Sequence, residues 1–333
     1  MIFSKLRNIF ASIKSLIGQL PILIFSILSC CSSDENFPQA SLSKSDALPK
    51  VVVTTTHLHD IVNRLTNDRL SVTSLMGPGV DPHIYKPTSR DILAISKSDL
   101  IIFHGMMLEG KLSETLKNTQ KKGILTYNAT ANLREDKILF SNDFEDSKNH
   151  PDPHVWFDPL IWSEVVMNLS NELARVDPEG SEFYKANAQN LVNEISFIYD
   201  WAKKRVNSIP LTQRKLITSH DAFKYFGRAM GIKVIALQGI STATEAGLAD
   251  RANLVQLIKE EKIPAIFVES SVNPDALTEI AKESKTSIGG ELFSDALGSE
   301  KDFAIGPNDK TYKCNTWAGM MIHNVNTIVD SLR

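Results

Sequence analysis

Cysteine is scarce in this chain: three residues in 333, at positions 30, 31 and 314. So few thiols exclude a disulfide framework, and any metal site has to be built from histidine and carboxylates. No stretch reaches the roughly 20 consecutive apolar residues that a membrane-spanning helix needs. Neither sign of charge dominates, with 36 Lys and Arg against 39 Asp and Glu and a net charge of −3. These charges are interspersed, so the chain has no basic face for a nucleic acid. It also lacks a His-Glu-x-x-His motif and any repeat with a period of 20–50 residues, which sets aside the common zinc hydrolases, solenoids and propellers. A hydrophobic content of 42% and a charged content of 23% are those of a globular protein, and the length accommodates two domains.

The N-terminus differs from the rest. Lys5, Arg7 and Lys14 precede an apolar run from Leu20 to Leu28, which ends at Ser29-Cys30-Cys31. A basic front, a short apolar stretch and a small residue before the break describe an export signal over residues 1–30. The break resembles a bacterial lipobox, which implies cleavage after Ser29 and acylation of Cys30. Residues 31–49 are polar and aperiodic, as expected of a tether between a membrane and a folded body. Cys314 is expected to be a plain buried or half-buried residue.

From Lys50 onward, short β-branched runs alternate with amphipathic segments. The runs are Val51–Thr55, Val72–Met76, Leu100–Phe103 and Gly123–Tyr127, then Lys215–Thr218, Val234–Gln238, Ala265–Glu269 and Ser287–Leu292. Thr88-Ser89-Arg90-Asp91 predicts a capping box opening the helix that carries Ile92, Ala94 and Ile95. The alternation predicts an α/β fold, with parallel sheets flanked by helices in two similar lobes, residues 50–177 and 210–333. Between them, Asp177-Pro178-Glu179 reads as a helix start with a capping carboxylate. Tyr184, Ala188, Leu191, Ile195, Ile198 and Ala202 then form one apolar stripe that runs until Ile209-Pro210. This predicts one long rigid α-helix over 178–209, on the order of 40 Å in length, joining the lobes.

Two copies of one tripeptide carry the chemistry: Asp81-Pro82-His83 and Asp152-Pro153-His154. Proline fixes the backbone before the histidine and presents the imidazole from a rigid turn. His83 lies in a turn-rich loop beyond the Val72–Met76 run, His220 directly follows Lys215–Thr218, and Asp295 follows Ser287–Leu292. Open α/β sheets bind ligands beyond the carboxyl ends of their strands. Each residue taken alone has an ordinary reading, the histidines as surface residues and Asp295 as a helix cap. Together, His83, His154, His220 and Asp295 are candidate ligands of one divalent transition metal ion. Three imidazoles and one carboxylate suit Zn²⁺, Mn²⁺ or Fe²⁺ rather than Ca²⁺ or Mg²⁺.

The motifs Val53-Thr54-Thr55, Gly77-Pro78-Gly79-Val80-Asp81-Pro82-His83, Asp152–Pro159, Ser219–Phe226 and Gly289–Asp295 together resemble the cluster A-I solute-binding proteins of zinc and manganese ABC transporters, the TroA- and ZnuA-like group. Gln238–Thr242 and Ala265–Ser271 fit the same pattern, and the resemblance extends from about Val51 to Leu332. It implies two α/β lobes joined by one long helix and metal ligands at the four named positions. It also implies an exported, lipid-anchored binding protein, not an enzyme, that works as a monomer and delivers its ion to a membrane permease driven by an ATPase. Manganese-type members commonly carry Glu where this chain has His220. Many zinc-specific members carry a long His-rich loop where Ser141–His150 is short and acidic. Zinc and manganese therefore both stay open, with iron beside them.

Four other histidines compete for a role. His57 and His59 form a His-x-His pair at the end of the first strand and are expected to be solvent-exposed at a helix start. His104 stands where relatives have Asn, with a supporting position near the rim of the first lobe expected, and His323 on the last helix is assigned no function. The rival functions are a zinc hydrolase, disfavoured because four protein ligands leave no open position for substrate, and a surface adhesin of the same fold.

Overall fold

The computed structural model describes residues 47–141 and 150–333. The export segment, Cys30, Cys31, the tether up to residue 46 and the acidic segment 142–149 lie outside the described residues. The first half runs β1 (Lys50–Val53), α1 (Thr56–Thr66), β2 (Ser71–Ser74), α2 (Ser89–Ser96), β3 (Leu100–Phe103), α3 (Ser113–Lys121) and β4 (Leu125–Asn128). α4 (Pro159–Leu173) and α5 (Ser181–Val206) follow. The second half runs β5 (Lys215–Thr218), α6 (Lys224–Met230), β6 (Lys233–Ala236), α7 (Leu248–Glu261), β7 (Ala265–Glu269), α8 (Asp275–Ser284), β8 (Ser287–Leu292), β9 (Phe303–Ile305), β10 (Thr311–Lys313) and α9 (Trp317–Leu332).

In the first half, four parallel strands pair in the order β2-β1-β3-β4. The central strands, Val51-Val52-Val53 and Leu100-Ile101-Ile102, are buried on both faces, as uninterrupted apolar runs require. The edge strand β2, Ser71-Val72-Thr73-Ser74, is half exposed. In the second half β5 pairs with β6 and β7 with β8, all parallel, and β5 lies beside β7. Opposite Ile266 and Phe267, β8 spends an extra residue: Ile266 faces Ile288 and Phe267 faces Gly290. Gly290 sits at φ +147°, and a Cβ there would meet Thr327 Cγ2 of α9 at 2.5 Å, so only glycine lets the last helix lie this close.

The long helix is present, with a 3-10 turn over Pro178–Gly180 and regular helix from Ser181 to Val206. Its 26 residues span about 39 Å. Tyr184, Ala188, Leu191, Ile195, Ile198, Ala202 and Val206 are its buried stripe, packed against α4, α9 and α1. Asp177, expected to cap this helix, does not. Its carboxylate accepts from Arg69 Nε at 2.8 Å and Nη2 at 3.0 Å and from the Tyr184 hydroxyl at 2.5 Å, tying the helix start to the turn after α1. A bidentate guanidinium is a stronger partner than free helix N–H groups. The α2 capping box forms as expected, with Thr88 Oγ1 accepting from Asp91 N–H and Asp91 Oδ2 accepting from Thr88 N–H. The antiparallel pair β9–β10 has no counterpart among the expected strands.

One continuous core joins the inner face of the first sheet to α4, α5 and α9 and to β5, α6, β7 and β8. A second cluster lies under α7 and α8, and a third between the first sheet and α2–α3. No helix among the described residues is long and apolar enough to cross a membrane. Cys314 is fully buried.

His57 corrects an expectation, because it is wholly buried rather than exposed. It is four residues before Ile61, on the apolar face of α1, and its ring stacks on Trp156 at 4.5 Å. His59, about 200° further round the helix, is half-buried and lies 3.0 Å from the Asn63 amide, so the pair does not converge. His104 is likewise buried rather than at a rim, parallel to Trp162 at 5.7 Å and edge-on to Trp156.

Burial pushes the His57 imidazole down to about 3. The unfolded chain takes up this proton near 6.5 and the folded protein refuses it until about 3, so stability from this group is lost as pH falls below 6.5. The loss at pH 5 is about 2 kcal/mol. His57→Phe keeps a ring against Trp156 and carries no proton. Urea unfolding of the metal-free protein is expected to show a flatter decline between pH 7 and 5 in the variant; parallel declines would contradict the assignment.

Candidate metal centre

The four candidate side chains meet. His83 comes from the loop between β2 and α2, His154 from the loop before α4, His220 from the end of β5 and Asp295 from the end of β8. One donor atom from each lies within 4.8 Å of all the others, and all four residues are buried. His83 Nε2 is 3.4 Å from His154 Nε2. Asp295 Oδ1 is 3.3 Å from His154 Nε2, and Oδ2 is 3.2 Å from His220 Nε2 and 3.9 Å from His83 Nε2. A tetrahedral ion with bonds of about 2.0–2.1 Å separates its ligand atoms by about 3.3–3.4 Å, close to three of these four spacings. Both Asp295 oxygens face the centre, so the carboxylate can bind through one or two of them.

Each imidazole is aimed by a carboxylate. Asp152 Oδ1 accepts from His154 N–H at 3.0 Å and lies 2.7 Å from Nδ1 of the same ring. Glu269 Oε1 accepts from His220 N–H at 2.9 Å, and its Oε2 lies 2.7 Å from the ring Nδ1. These contacts hold the proton on Nδ1 and leave Nε2 facing the centre, which is how metal-binding histidines are usually oriented. Asp81 Oδ1 accepts from His83 N–H at 2.8 Å but does not reach the ring. In both tripeptides the aspartate is thus the group that fixes the histidine, two residues on, with proline shaping the turn between. Tyr225 bonds the Asp152 carbonyl, and the Trp156 Nε1–H donates to Ser294 O at 3.0 Å, fixing the residue before Asp295.

Glu269 had no role in the reading of the sequence. It ends the buried strand β7, which the fold places beside the strand that leads into His220. His104 stands behind Trp156, one ring removed from His154. His323 is on the far side, with Nε2 2.9 Å from Glu291 O.

The centre is charged without a metal. Burial disfavours an imidazolium at His154, but Asp152 and Asp295 outweigh it and push the ring up to about 9. Burial acts the same way on His220, and Glu269 and Asp295 hold it well above its usual range. His83, with weaker carboxylate support, is pushed down to about 3 by burial. Burial alone would raise Asp295; the charge on His220 and His154 holds it well below the usual carboxylate range.

A metal ion binds only the deprotonated Nε2, so near pH 7 its arrival expels a proton from both His154 and His220. Acid favours the protonated, empty centre, and affinity therefore rises with pH. Calorimetry at pH 7 in buffers of different ionisation heats is expected to show about two protons released per ion, with fewer above pH 9 as His154 deprotonates unaided. A binding heat independent of the buffer would contradict this.

Comparison with known proteins places the chain. Residues 51–331 match the family model described as ZnuA, zinc-uptake complex component A, periplasmic. The manganese-binding lipoprotein MntA of Bacillus subtilis (strain 168) is 33% identical over 326 residues, covering 95% of this chain and 99% of that protein. The zinc-binding protein TroA of Treponema pallidum (strain Nichols) is 35% identical over 294 residues, covering 86% of this chain and 90% of that one. The solved structure of periplasmic TroA superposes with a TM-score of 0.79 at 33% identity, over 86% of this chain and 99% of that structure. With the family model spanning nearly the whole described body and relatives aligned over almost their full lengths, this chain belongs to the ZnuA family of metal-uptake binding proteins.

Proposed function

We propose that this protein is the extracytoplasmic binding component of a metal-importing ABC transporter, and that it carries one zinc or manganese ion held by His83, His154, His220 and Asp295. The observation that carries the reading is the convergence of three imidazoles and one carboxylate, all buried, with one donor atom from each within 4.8 Å of all the others. A buried carboxylate needs positive charge beside it, and a dication can take the place of the protons on His154 and His220. Fe²⁺ shares these donor preferences and belongs to the same proposal. Zn²⁺ outcompetes Mn²⁺ at most sites of this type, so cargo is decided by supply and coordination number as much as by affinity. A carboxylate able to offer one or two oxygens serves either a four- or a five-coordinate ion.

The cargo leaves by transfer to a membrane permease, with an ATPase supplying the energy. The relatives, lipoproteins of manganese binding and transport, and the family model of a periplasmic zinc-uptake component support export and anchoring, for which Cys30 is the proposed lipid-bearing residue. We further read residues 50–177 and 210–333 as the two lobes and 178–209 as the segment joining them. The family is one of binding proteins rather than enzymes, and four protein ligands serve retention better than catalysis.

Metal at about a thousand times its dissociation constant is expected to stabilise the fold by roughly 4 kcal/mol. His220→Ala also strands Glu269 and Asp295, so the informative quantity is the metal-dependent part of the stability, measured with and without Zn²⁺ or Mn²⁺. Most of that gain is expected to vanish in the variant. A variant retaining the full gain would remove His220 from the ligand set.

A further inference from the structure

The three histidines are not held alike. His154 and His220 each have a carboxylate on backbone N–H and ring Nδ1, and both residues are completely buried. Among the described residues no carboxylate lies within hydrogen-bond distance of the His83 ring; the nearest, Asp295, is at 3.9 Å. His83 keeps 5% of its surface and forms part of the wall of a cavity of about 270 Å³, shared with Met106, Met107, Ile240, Ser241 and Ala243. It is therefore the ligand at the mouth of the cleft.

What fixes His83 is Asp81, and Asp81 is gripped from the opposite half. Its Oδ1 accepts from His83 N–H at 2.8 Å, while its Oδ2 accepts from the Thr242 hydroxyl at 2.5 Å. Thr242 is half-buried in the loop after β6, and its neighbours Ser241 and Ala243 line the same cavity. On the deep side of the centre the halves are joined by Trp156 Nε1–H to Ser294 O and by Leu297 N–H to Thr56 Oγ1, both between packed elements. The Thr242–Asp81 bond joins two loops at the outer rim instead.

We propose that Thr242 and Asp81 form a latch across the cleft that holds His83 on the ion and sets the rate of metal release. Opening of this one bond frees the Asp81 carboxylate to rotate, loosens the turn over residues 81–83 and lets the least supported ligand leave first. His154, His220 and Asp295, anchored from within the core, stay in place. Thr242 is a positioning residue: it touches no metal donor, and it acts on the ion only through Asp81 and the His83 backbone. A hydroxyl bond to a charged carboxylate is strong enough for its loss to change a dissociation rate about tenfold.

The latch rests on the four-ligand reading above, and the test separates the two. Release of Zn²⁺ from the full-length protein into excess EDTA is followed by stopped flow for the wild type, Thr242→Val and Thr242→Ser. Valine keeps the branched shape and removes the hydroxyl; serine keeps the hydroxyl. Thr242→Val is expected to bind one ion and to associate at the wild-type rate within about twofold, but to release about ten times faster. Thr242→Ser is expected to release at close to the wild-type rate and to keep the wild-type metal-free unfolding midpoint, whereas Thr242→Val is expected to lower that midpoint by no more than the loss of one hydrogen bond. Unchanged release in Thr242→Val, equally fast release in Thr242→Ser, or an effect confined to association would each overturn the latch. Failure of the wild type to bind Zn²⁺ at one ion per chain would instead overturn the ligand assignment.

Discussion

The buried carboxylate of Asp295 is the constraint around which the rest is arranged. It lies at the junction of the two halves, solvent-free, and the groups that face its oxygens are imidazoles. Without a metal its charge is balanced by protons on His154 and His220, themselves backed by Asp152 and Glu269. Three carboxylates and two imidazolium rings leave one net negative charge. With both rings neutral and a dication among them, the balance is the same. The centre thus exchanges two protons for one ion at constant charge.

The scaffold explains how such a centre is held. His220 follows the buried strand β5, and Asp295 follows β8, which is paired along its length to the buried strand β7 that ends in Glu269. A single core, running through α4, α5 and α9, binds both halves to one frame. The Trp156 indole, held between His57 and the Ser294 carbonyl, connects the turn that carries His154 to the strand end that carries Asp295. The fewest supporting contacts are at the mouth, where His83 and the loop of Thr242 meet through Asp81.

Much of this was legible in the residues. The runs Val51-Val52-Val53 and Leu100-Ile101-Ile102 announce buried parallel strands, and the stripe from Tyr184 to Ala202 announces the long helix, because one period dominates each segment. The repeated Asp-Pro-His tripeptide drew attention to two of the converging histidines. The misses share a physical cause: long-range partners outweigh local rules. Asp177 has the context of a helix cap, but Arg69, over a hundred positions away, takes its carboxylate. His57 opens a helix and so reads as exposed; its spacing from Ile61 and Leu65 was the signal that it belongs to the core. Gly306-Pro307-Asn308-Asp309 was a turn signal for the β9–β10 hairpin, whose strands are too short to show a period. The roles of Glu269 and Thr242 depend on which loops the fold brings together, and no local pattern carries that.

The central claim is that four side chains from the two halves share one ion. Anomalous diffraction from crystals of the Zn²⁺- or Mn²⁺-loaded protein, collected at the metal edge, tests it most directly. The account predicts one peak within about 2.0–2.3 Å of the Nε2 atoms of His83, His154 and His220 and of an Asp295 oxygen. A peak elsewhere, or one that leaves any of these four side chains outside bonding distance, would contradict it.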